Sequence, residues 1–276
     1  MEVEREVARH YGTAGIAPRV LAALREAQGP DTPVTVDTLA PFDHFHGRGV
    51  QATEELVAAL RPQAGERILD IGSGLGGPAR WIAAKSGVHV TGIDLTAEFC
   101  EAAEALNEAA GLADRVTIIR GSALALPVPD AAFDRAYSQN VVMNIEDKPR
   151  VYREAFRALR PGGVLVIACM CAGAGGDPYY PQMWADTAAT SFLATVEQTR
   201  RDLGDAGFTI IAVRDGTAGL LPPPARSGEP PPLAGPARGI HVFMGADRVR
   251  EAQQNSARSL RENRLTMIEA LVRKPG

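Results

Sequence analysis

The amino-acid sequence predicts an α/β fold: a doubly wound, mostly parallel sheet of seven strands with a helical N-terminal cap and a C-terminal lid insertion. Three observations support this fold class. Short apolar runs alternate with helical stretches between residues 68 and 168, which is typical of parallel strands joined by right-handed crossovers. Residues 1–62 instead show helical patterns separated by Pro-containing loops. Two more strands, separated by a Pro- and Gly-rich segment, follow the fifth strand.

The central strands and helices follow from hydrophobic periodicity. Apolar runs that are too short for helices and are bounded by Gly, Pro or Asp predict strands, at 68–71, 88–93, 116–119, 134–137 and 164–168. The stretches between them predict helices at 77–86, 97–110 and 147–159. Ligands of such sheets bind beyond the carboxyl ends of the strands. The segments that follow each strand are therefore expected to meet at one edge of the sheet.

The flanking regions are expected to cover that edge. Helical patterns occur at 1–11, 17–27 and 49–60 before the sheet, and at 196–206 and 247–261 after it. The runs 208–213 and 265–272 predict an antiparallel pair of strands at one side of the sheet. The predicted organisation is a cap at 1–62, a nucleotide-binding core at 63–171, and lid segments with edge strands at 172–276.

Composition and charge narrow the class of protein. The 276 residues are 45% hydrophobic with a net charge of −4 and no long basic run, which argues against non-specific nucleic-acid binding. Three cysteines cannot all pair with one another, which favours a reducing compartment and a cytoplasmic location. The N-terminus is charged, and no apolar run approaches the length of a membrane span. We expect no membrane partner.

A glycine-rich loop follows the first predicted strand. The motif D-x-G-x-G-x-G begins at Asp70, and the overlapping motif G-x-G-x-x-G begins at Gly72. Glycines let the main chain approach a ligand closely, and the helix that follows offers N–H groups to a negative group. Asp94 ends the second strand, where a carboxylate can accept two hydrogen bonds from a ribose diol. The pattern predicts a nucleoside pocket for S-adenosylmethionine (SAM) or a dinucleotide such as NAD.

Five segments together resemble a known family. They are the glycine loop at 69–80 and the segments at 42–49, 91–96, 138–148 and 159–165. The chain resembles class I SAM-dependent methyltransferases, in particular the small-molecule subgroup that includes sarcosine/dimethylglycine N-methyltransferases and ubiquinone/menaquinone C-methyltransferases. This resemblance implies a Rossmann-like methyltransferase fold, SAM as cofactor, and a small-molecule acceptor, in natural-product or antibiotic biosynthesis.

The resemblance also implies which residues hold the cofactor. They are Asp70, Gly72, Ser73, Gly74, Asp94, Leu95, Ser122, Ala123 and Gln139. Asp94 would hold the ribose hydroxyls, and Leu95 would pack on the adenine. Many relatives place Asp or Asn at position 122, where it accepts a hydrogen bond from the adenine amino group. Ser122 departs from that pattern.

The candidate catalytic residues are His44, His46 and Asn144. Methyl transfer from a sulfonium needs positioning and exclusion of water, and a hydroxyl or protonated amine acceptor also needs a base. Hydrogen bonds that order the cap are the alternative role for both histidines. The candidate substrate contacts are Tyr11, Asn140, Tyr179, Trp184 and His241. No metal is expected, because H-x-H on a loop without a distant partner is weak evidence for one.

The sequence therefore predicts SAM-dependent methylation of a nitrogen, or an oxygen, of a soluble small molecule by a monomer or homodimer. C-methylation of a quinone-like ring is the first alternative. An NAD-dependent oxidoreductase and a SAM-binding protein without catalysis are the others.

Overall fold

A sheet of seven strands forms the centre of the computed structural model, which describes residues 15–221 and 244–276 together with Glu4 and Glu6. The strands are β1 (Arg67–Ile71), β2 (His89–Asp94), β3 (Val116–Arg120), β4 (Phe133–Gln139), β5 (Leu159–Ala172), β6 (Thr209–Asp215) and β7 (Leu265–Arg273). Their spatial order is β3-β2-β1-β4-β5-β7-β6. Strand β7 is antiparallel to β5 and β6, and the other pairs are parallel. The predicted fold class is confirmed.

Eight described helices surround this sheet. They are α1 (Ile16–Gln28), α2 (Val36–Asp43), α3 (Val50–Leu60), α4 (Gly77–Ser86), α5 (Ala97–Ala109), α6 (Lys148–Ala158), α7 (Val196–Asp205) and α8 (Ala246–Arg261). Apart from α2, their ends agree with the predicted helices to within one residue. None of these described helices has the length and apolar character needed to cross a membrane.

Helix α2 departs from the prediction of an irregular, Pro-containing loop. Its first turn is held by a capping box, in which Thr38 N–H donates to Thr35 Oγ1 at 3.2 Å and Thr35 N–H donates to Thr38 Oγ1 at 2.9 Å. Leu39 and Phe42 are buried on its inner face. Pro41 removes one donor and lies near the C-terminal end of a helix that is only eight residues long. The cap and the burial outweigh that loss.

Helices cover both faces of the sheet. Tyr152 of α6 and Leu203 of α7 are buried on one face, and Leu56 of α3 and Ile82 of α4 on the other. Helices α1 and α2 instead pack with α5 and with Leu75 of the glycine loop. The predicted cap at 1–62 thus contains one helix, α3, that packs directly on the sheet. The boundary at 62/63 stays a prediction.

Candidate active site

A cavity of about 880 Å³ lies at the carboxyl ends of the parallel strands. The segments that follow β1, β2, β3 and β4 all line it, as expected. All nine predicted cofactor residues line it too: Asp70, Gly72, Ser73, Gly74, Asp94, Leu95, Ser122, Ala123 and Gln139. Its other walls come from the segment after α2 and from the chain between β4 and β7. The volume is in the range of small-molecule pockets.

The glycine loop owes its shape to backbone angles that favour glycine. Gly72 has φ 84° and Gly74 has φ 52°, in the left-handed region that side chains rarely adopt. The N–H groups of Gly72 and Ser73 donate to Ile93 O at 2.8 and 3.0 Å, which ties the loop to β2. A Cβ on Gly72 would lie 2.6 Å from Val141 Cγ1, whereas a Cβ on Gly74 would meet nothing within 4 Å. Gly74 therefore leaves its backbone open to a ligand.

Asp94 joins the glycine loop to the start of α5. Its Oδ2 accepts from Gly74 N–H at 2.8 Å, and its Oδ1 accepts from Thr96 N–H at 2.9 Å. Burial raises the pKa of Asp94, and the N–H groups of Thr96 and Gly74 oppose that rise. A carboxylate offers about four acceptor sites. A ribose diol could thus bind Asp94 while these two bonds remain.

Five buried polar atoms on residues of the cavity lining have no hydrogen-bond partner among the described residues. They are Asp70 Oδ2, Ser73 Oγ, the Tyr137 hydroxyl, Gln139 Oε1 and Arg248 Nη1. Buried polar atoms without a hydrogen-bond partner are rare and destabilising. Several such atoms around one cavity therefore indicate a ligand that supplies the missing hydrogen bonds. The methionine part of SAM carries an ammonium and a carboxylate. The acceptor oxygens of Asp70 and Gln139 match the ammonium, and the Ser73 hydroxyl matches the carboxylate.

Tyr137 was not among the predicted site residues. It lies within β4 and is fully buried, so its pattern in the sequence is that of a core residue. Its hydroxyl lies between the ends of β1 and β4, and this polar group is the feature that indicates a role in the site. Burial raises the pKa of Asp70 to about 7, with the Tyr137 side chain opposing the rise and the charge of Asp94 adding to it. The pocket therefore holds a carboxyl group that changes charge near neutral pH.

His44 belongs to a buried network that joins α2 to the glycine loop. Its Nδ1 lies 2.8 Å from Asp43 Oδ1, and Asp43 Oδ2 accepts from Arg80 Nη2 at 2.9 Å. The fully buried Arg80 also donates to Leu75 O at 2.6 Å and to Asn107 Oδ1 at 2.8 Å. Burial alone would raise the pKa of Asp43, but His44 and Arg80 lower it. His44 does not line the cavity, so this geometry favours its alternative role of ordering the cap.

His46 lines the cavity but has both ring nitrogens engaged. Nδ1 lies 3.5 Å from Gly47 O and Nε2 lies 3.3 Å from Thr53 Oγ1. A carbonyl only accepts, so Nδ1 carries the proton and Nε2 accepts from the Thr53 hydroxyl. Burial and the neighbouring His44 lower the pKa of His46 to about 3. His46 is therefore a poor general base, contrary to the expectation from the sequence.

Asn144 lines the cavity. Its amide N–H groups, however, donate to the segment that follows β5 and not to the cavity. Its Nδ2 donates to Trp184 O at 2.8 Å and to Thr190 O at 3.3 Å. Trp184 also lines the cavity, and its indole N–H donates to Ser191 Oγ at 2.9 Å. These bonds place an aromatic wall against the pocket.

The remaining candidate substrate residues differ in whether they line the cavity. Asn140 lines the cavity with φ 56°. Tyr179 does not line it: its ring packs against the guanidinium groups of Arg258 and Arg264, at 3.8 and 4.5 Å. Tyr11 and His241 lie outside the described residues. Within the part of the chain that the structure describes, no three His, Cys, Asp or Glu side chains are grouped so as to hold a metal ion.

The cavity lining is rich in methionine, which the sequence analysis did not predict. Five of the six methionines lie among the described residues, and all five line the cavity: Met143, Met170, Met183, Met244 and Met267. Four of them belong to one apolar cluster with Trp184 and Leu260. We call these five methionines the methionine wall. Thioether side chains are flexible and polarisable, and they suit apolar ligands of irregular shape.

Residues 69–167 match the methyltransferase domain family. The methyltransferase GfsG of Streptomyces halstedii is 36% identical over 166 residues, which cover 59% of this chain and 57% of that protein. Phosphoethanolamine N-methyltransferase 1 of Arabidopsis thaliana is 33% identical over 174 residues, which cover 61% of this chain and 34% of that protein. The chain thus spans between a third and somewhat over half of the length of these curated relatives.

A solved structure supports the same fold over the whole chain. Geranyl diphosphate C-methyltransferase from Streptomyces coelicolor A3(2) superposes with a TM-score of 0.71 at 16% identity, covering 99% of this chain and 98% of that one. The match over residues 69–167 confirms the predicted methyltransferase domain and, with it, SAM as the cofactor of that domain. Residues 69–167 form a methyltransferase domain of the class I, SAM-dependent type.

Proposed function

We propose that this chain transfers the methyl group of SAM to a small acceptor with an apolar body. The single observation that carries the proposal is that one cavity contains both the SAM pocket and the methionine wall. A donor bound by the glycine loop and an acceptor packed on that wall would share one enclosed space. Holding two reactants together in this way removes most of the entropic barrier to their reaction.

The chain's own residues would supply positioning and exclusion of water. Asp94 and the open backbone at Gly74 would hold the nucleoside, while Asp70 and Gln139 would accept from the ammonium of the methionine part. Bound SAM supplies a methyl group that is already activated by the sulfonium. Trp184 and the methionine wall would exclude water from that position. No general base is required when the acceptor arrives with a free lone pair.

Nitrogen is the acceptor atom that this site favours. His46, the predicted base nearest the pocket, has both nitrogens engaged and its pKa lowered to about 3. A hydroxyl, or the ring carbon of a phenol, must lose a proton, whereas a neutral amine need not. The Arabidopsis relative, named as an N-methyltransferase, supports the choice. An oxygen acceptor and C-methylation of a quinone-like ring are the alternatives.

The proposal is tested by combining binding with turnover. Titration calorimetry with SAM should show binding, and Asp94→Ala should weaken it by about 1–3 kcal/mol, because hydrogen bonds to a charged group are lost. The control Glu101→Ala changes an exposed residue on α5 and should leave SAM binding unchanged. Labelled SAM is then incubated with apolar aromatic amines and their matching phenols.

Methylation of the amines before the phenols supports the proposal. Tight SAM binding without turnover on any acceptor would instead favour the non-catalytic alternative, and an unchanged affinity in Asp94→Ala would remove its ribose role. Natural-product biosynthesis, a soluble acceptor, a cytoplasmic location and a monomeric or homodimeric state are further parts of the proposal. They are motivated by the sequence.

A further inference from the structure

The side chain of Arg248, on α8, lines the cavity with part of its guanidinium group unpaired. Its Nε donates to Asp186 Oδ1 at 2.8 Å, and its Nη2 lies 2.7 Å from the same oxygen and 2.7 Å from Gln182 O. Nη1 is buried and has no hydrogen-bond partner among the described residues. An arginine has five N–H donors, so these contacts leave the two N–H groups of Nη1 for a ligand.

The contacts of Arg248 place it beside the part of the cavity assigned to the acceptor. Its two partners, Gln182 and Asp186, lie on either side of Trp184 in the sequence, and Trp184 lines the cavity. Helix α8 also contributes Leu260 to the apolar cluster that contains Trp184 and four residues of the methionine wall. Among the described residues, the hydrogen bonds of Arg248 go to the segment that carries Trp184 and not to the glycine loop.

The charges around the cavity single out Arg248 as a site for an anion. Arg48 is the other cation among the described lining residues, and both of its Nη atoms bind the carboxylate of Glu55. Glu146 and Asp147 also line the cavity, but both are exposed, so water and salt screen their charge. The carboxylate that Arg248 already holds is itself 62% exposed, and such a pair is weak.

We infer that Arg248 binds an anionic oxygen group, a carboxylate or a phosphate, on the acceptor, so that the substrate is an apolar molecule with an acidic substituent. The inference rests on the proposed function, because it concerns the acceptor of that reaction. A buried N–H group without a partner is costly, and a charged oxygen gives it a strong hydrogen bond. A neutral analogue would leave Nη1 unpaired, so Arg248 is a substrate-specificity residue.

The experiment compares anions with neutral molecules of the same shape. Titration calorimetry on the protein saturated with S-adenosylhomocysteine measures binding of phenylalkanoates with two to five methylene groups, of phenylalkyl phosphates, and of the alcohols of the same lengths. At least one anion should bind about ten- to a hundredfold more tightly than its alcohol.

Variants then assign this preference to one side chain. Arg248→Gln should abolish it and leave the affinities for the alcohols and for S-adenosylhomocysteine unchanged. Arg250→Gln, which changes an exposed arginine on the same helix, should alter none of these affinities. Asp186→Asn removes the carboxylate that competes for Arg248 and should tighten binding of the anions about two- to fivefold. If Arg248→Gln does not fold, Asp186→Asn decides, and unchanged or weaker anion binding in that variant overturns the inference.

Three further results overturn it. An equal loss for anions and alcohols in Arg248→Gln would show that Arg248 only holds the segment around Trp184 in place. Weaker binding of S-adenosylhomocysteine in that variant would show that Arg248 binds the carboxylate of the cofactor instead. An unaltered protein that binds no anion more tightly than its alcohol would refute the inference and leave the proposed function standing. If S-adenosylhomocysteine itself does not bind, the proposed function fails, and that result is distinct from the other three.

Discussion

At the scale of single residues, Gly72 and Gly74 have the same backbone requirement for different reasons. Both have positive φ, but Gly72 is packed against Val141 while Gly74 faces open space. Glycine is needed at position 72 because a side chain there would collide with Val141. Gly74 is needed so that a ligand can approach.

The two alanine variants separate these roles. Gly72→Ala and Gly74→Ala should each lose about 1–2 kcal/mol of unfolding free energy from the left-handed backbone, and Gly72→Ala should lose more because its Cβ collides with Val141. Gly74→Ala should weaken S-adenosylhomocysteine by about tenfold or more, since its methyl group occupies ligand space. Urea denaturation and calorimetry measure the two effects. Equal stability of the variants, or unchanged binding in Gly74→Ala, would contradict this assignment.

At the scale of secondary-structure elements, the network around Arg80 connects α2, α4, α5 and the glycine loop. The buried side chain of Arg80 donates hydrogen bonds to a carboxylate, a carbonyl and an amide oxygen that lie on different elements. It therefore links these elements to one another. Its loss leaves a buried charge on Asp43, which is more costly than the loss of an exposed ion pair.

Arg80→Met should therefore lower the free energy of unfolding by about 3–5 kcal/mol. The matched control is Lys85→Met on the same helix, whose ion pair with Asp37 is exposed and should cost no more than about 1 kcal/mol. The double variant Asp43→Asn with Arg80→Met should lose less than the sum of its parts. Urea denaturation checks all three, and equal losses at positions 80 and 85 would refute the connecting role of Arg80.

The elements that could be predicted are those with local signals. Helix α4 lies between Gly76 and Gly87, which cap its two ends with positive φ. Asp147 caps α6 by accepting from Arg150 N–H. Such signals lie within a few residues of the element that they define, so periodicity and capping rules find them. The glycine loop and Asp94 belong to the same class, because their spacing is itself the signal.

The contacts that could not be predicted join distant parts of the chain. The Glu4–Ser122 bond spans 118 residues, and the Arg80–Asp43 pair spans 37. Nothing in the local pattern distinguishes these residues from surface charges. Tyr137 was missed for a related reason, since a tyrosine in a buried strand is most often a packing residue. The engaged nitrogens of His46 depend on the position of Thr53, which only the fold provides.

At the scale of the whole molecule, the pocket links stability to pH through Asp70. The pKa of its carboxyl is about 7 in the folded chain, against an ordinary value of 3.8. Between these values the folded state retains a proton that the unfolded state has released. The contribution of Asp70 to the stability of the ligand-free protein therefore falls as pH rises from about 4 to about 7. Asp94, whose pKa is also raised, acts in the same direction. His46 acts in the opposite direction between about pH 3 and 6.5, because its pKa is lowered in the folded chain.

Asp70→Asn isolates this contribution. The variant cannot titrate at position 70, so its stability should decrease less than that of the unaltered protein between pH 5 and pH 7, by about 1.4 kcal/mol per pH unit where Asp70 alone differs. Urea denaturation at several pH values measures the difference. Parallel pH profiles for the two proteins would show that Asp70 has an ordinary pKa. Binding of S-adenosylhomocysteine should also tighten from pH 6 to pH 8, as the ligand's ammonium meets an ionised carboxylate.

The methionine wall has a consequence for the chemical environment in which the protein can work. Peroxide converts a thioether into a sulfoxide, which is polar and carries a strong acceptor oxygen. Met143 and Met170 are almost fully buried, and the other three also contribute to the cavity surface. Because all five described methionines border the cavity, their oxidation would make the acceptor space hydrophilic. The residues assigned to the nucleoside, Gly74 and Asp94, carry no thioether and would not be oxidised in this way.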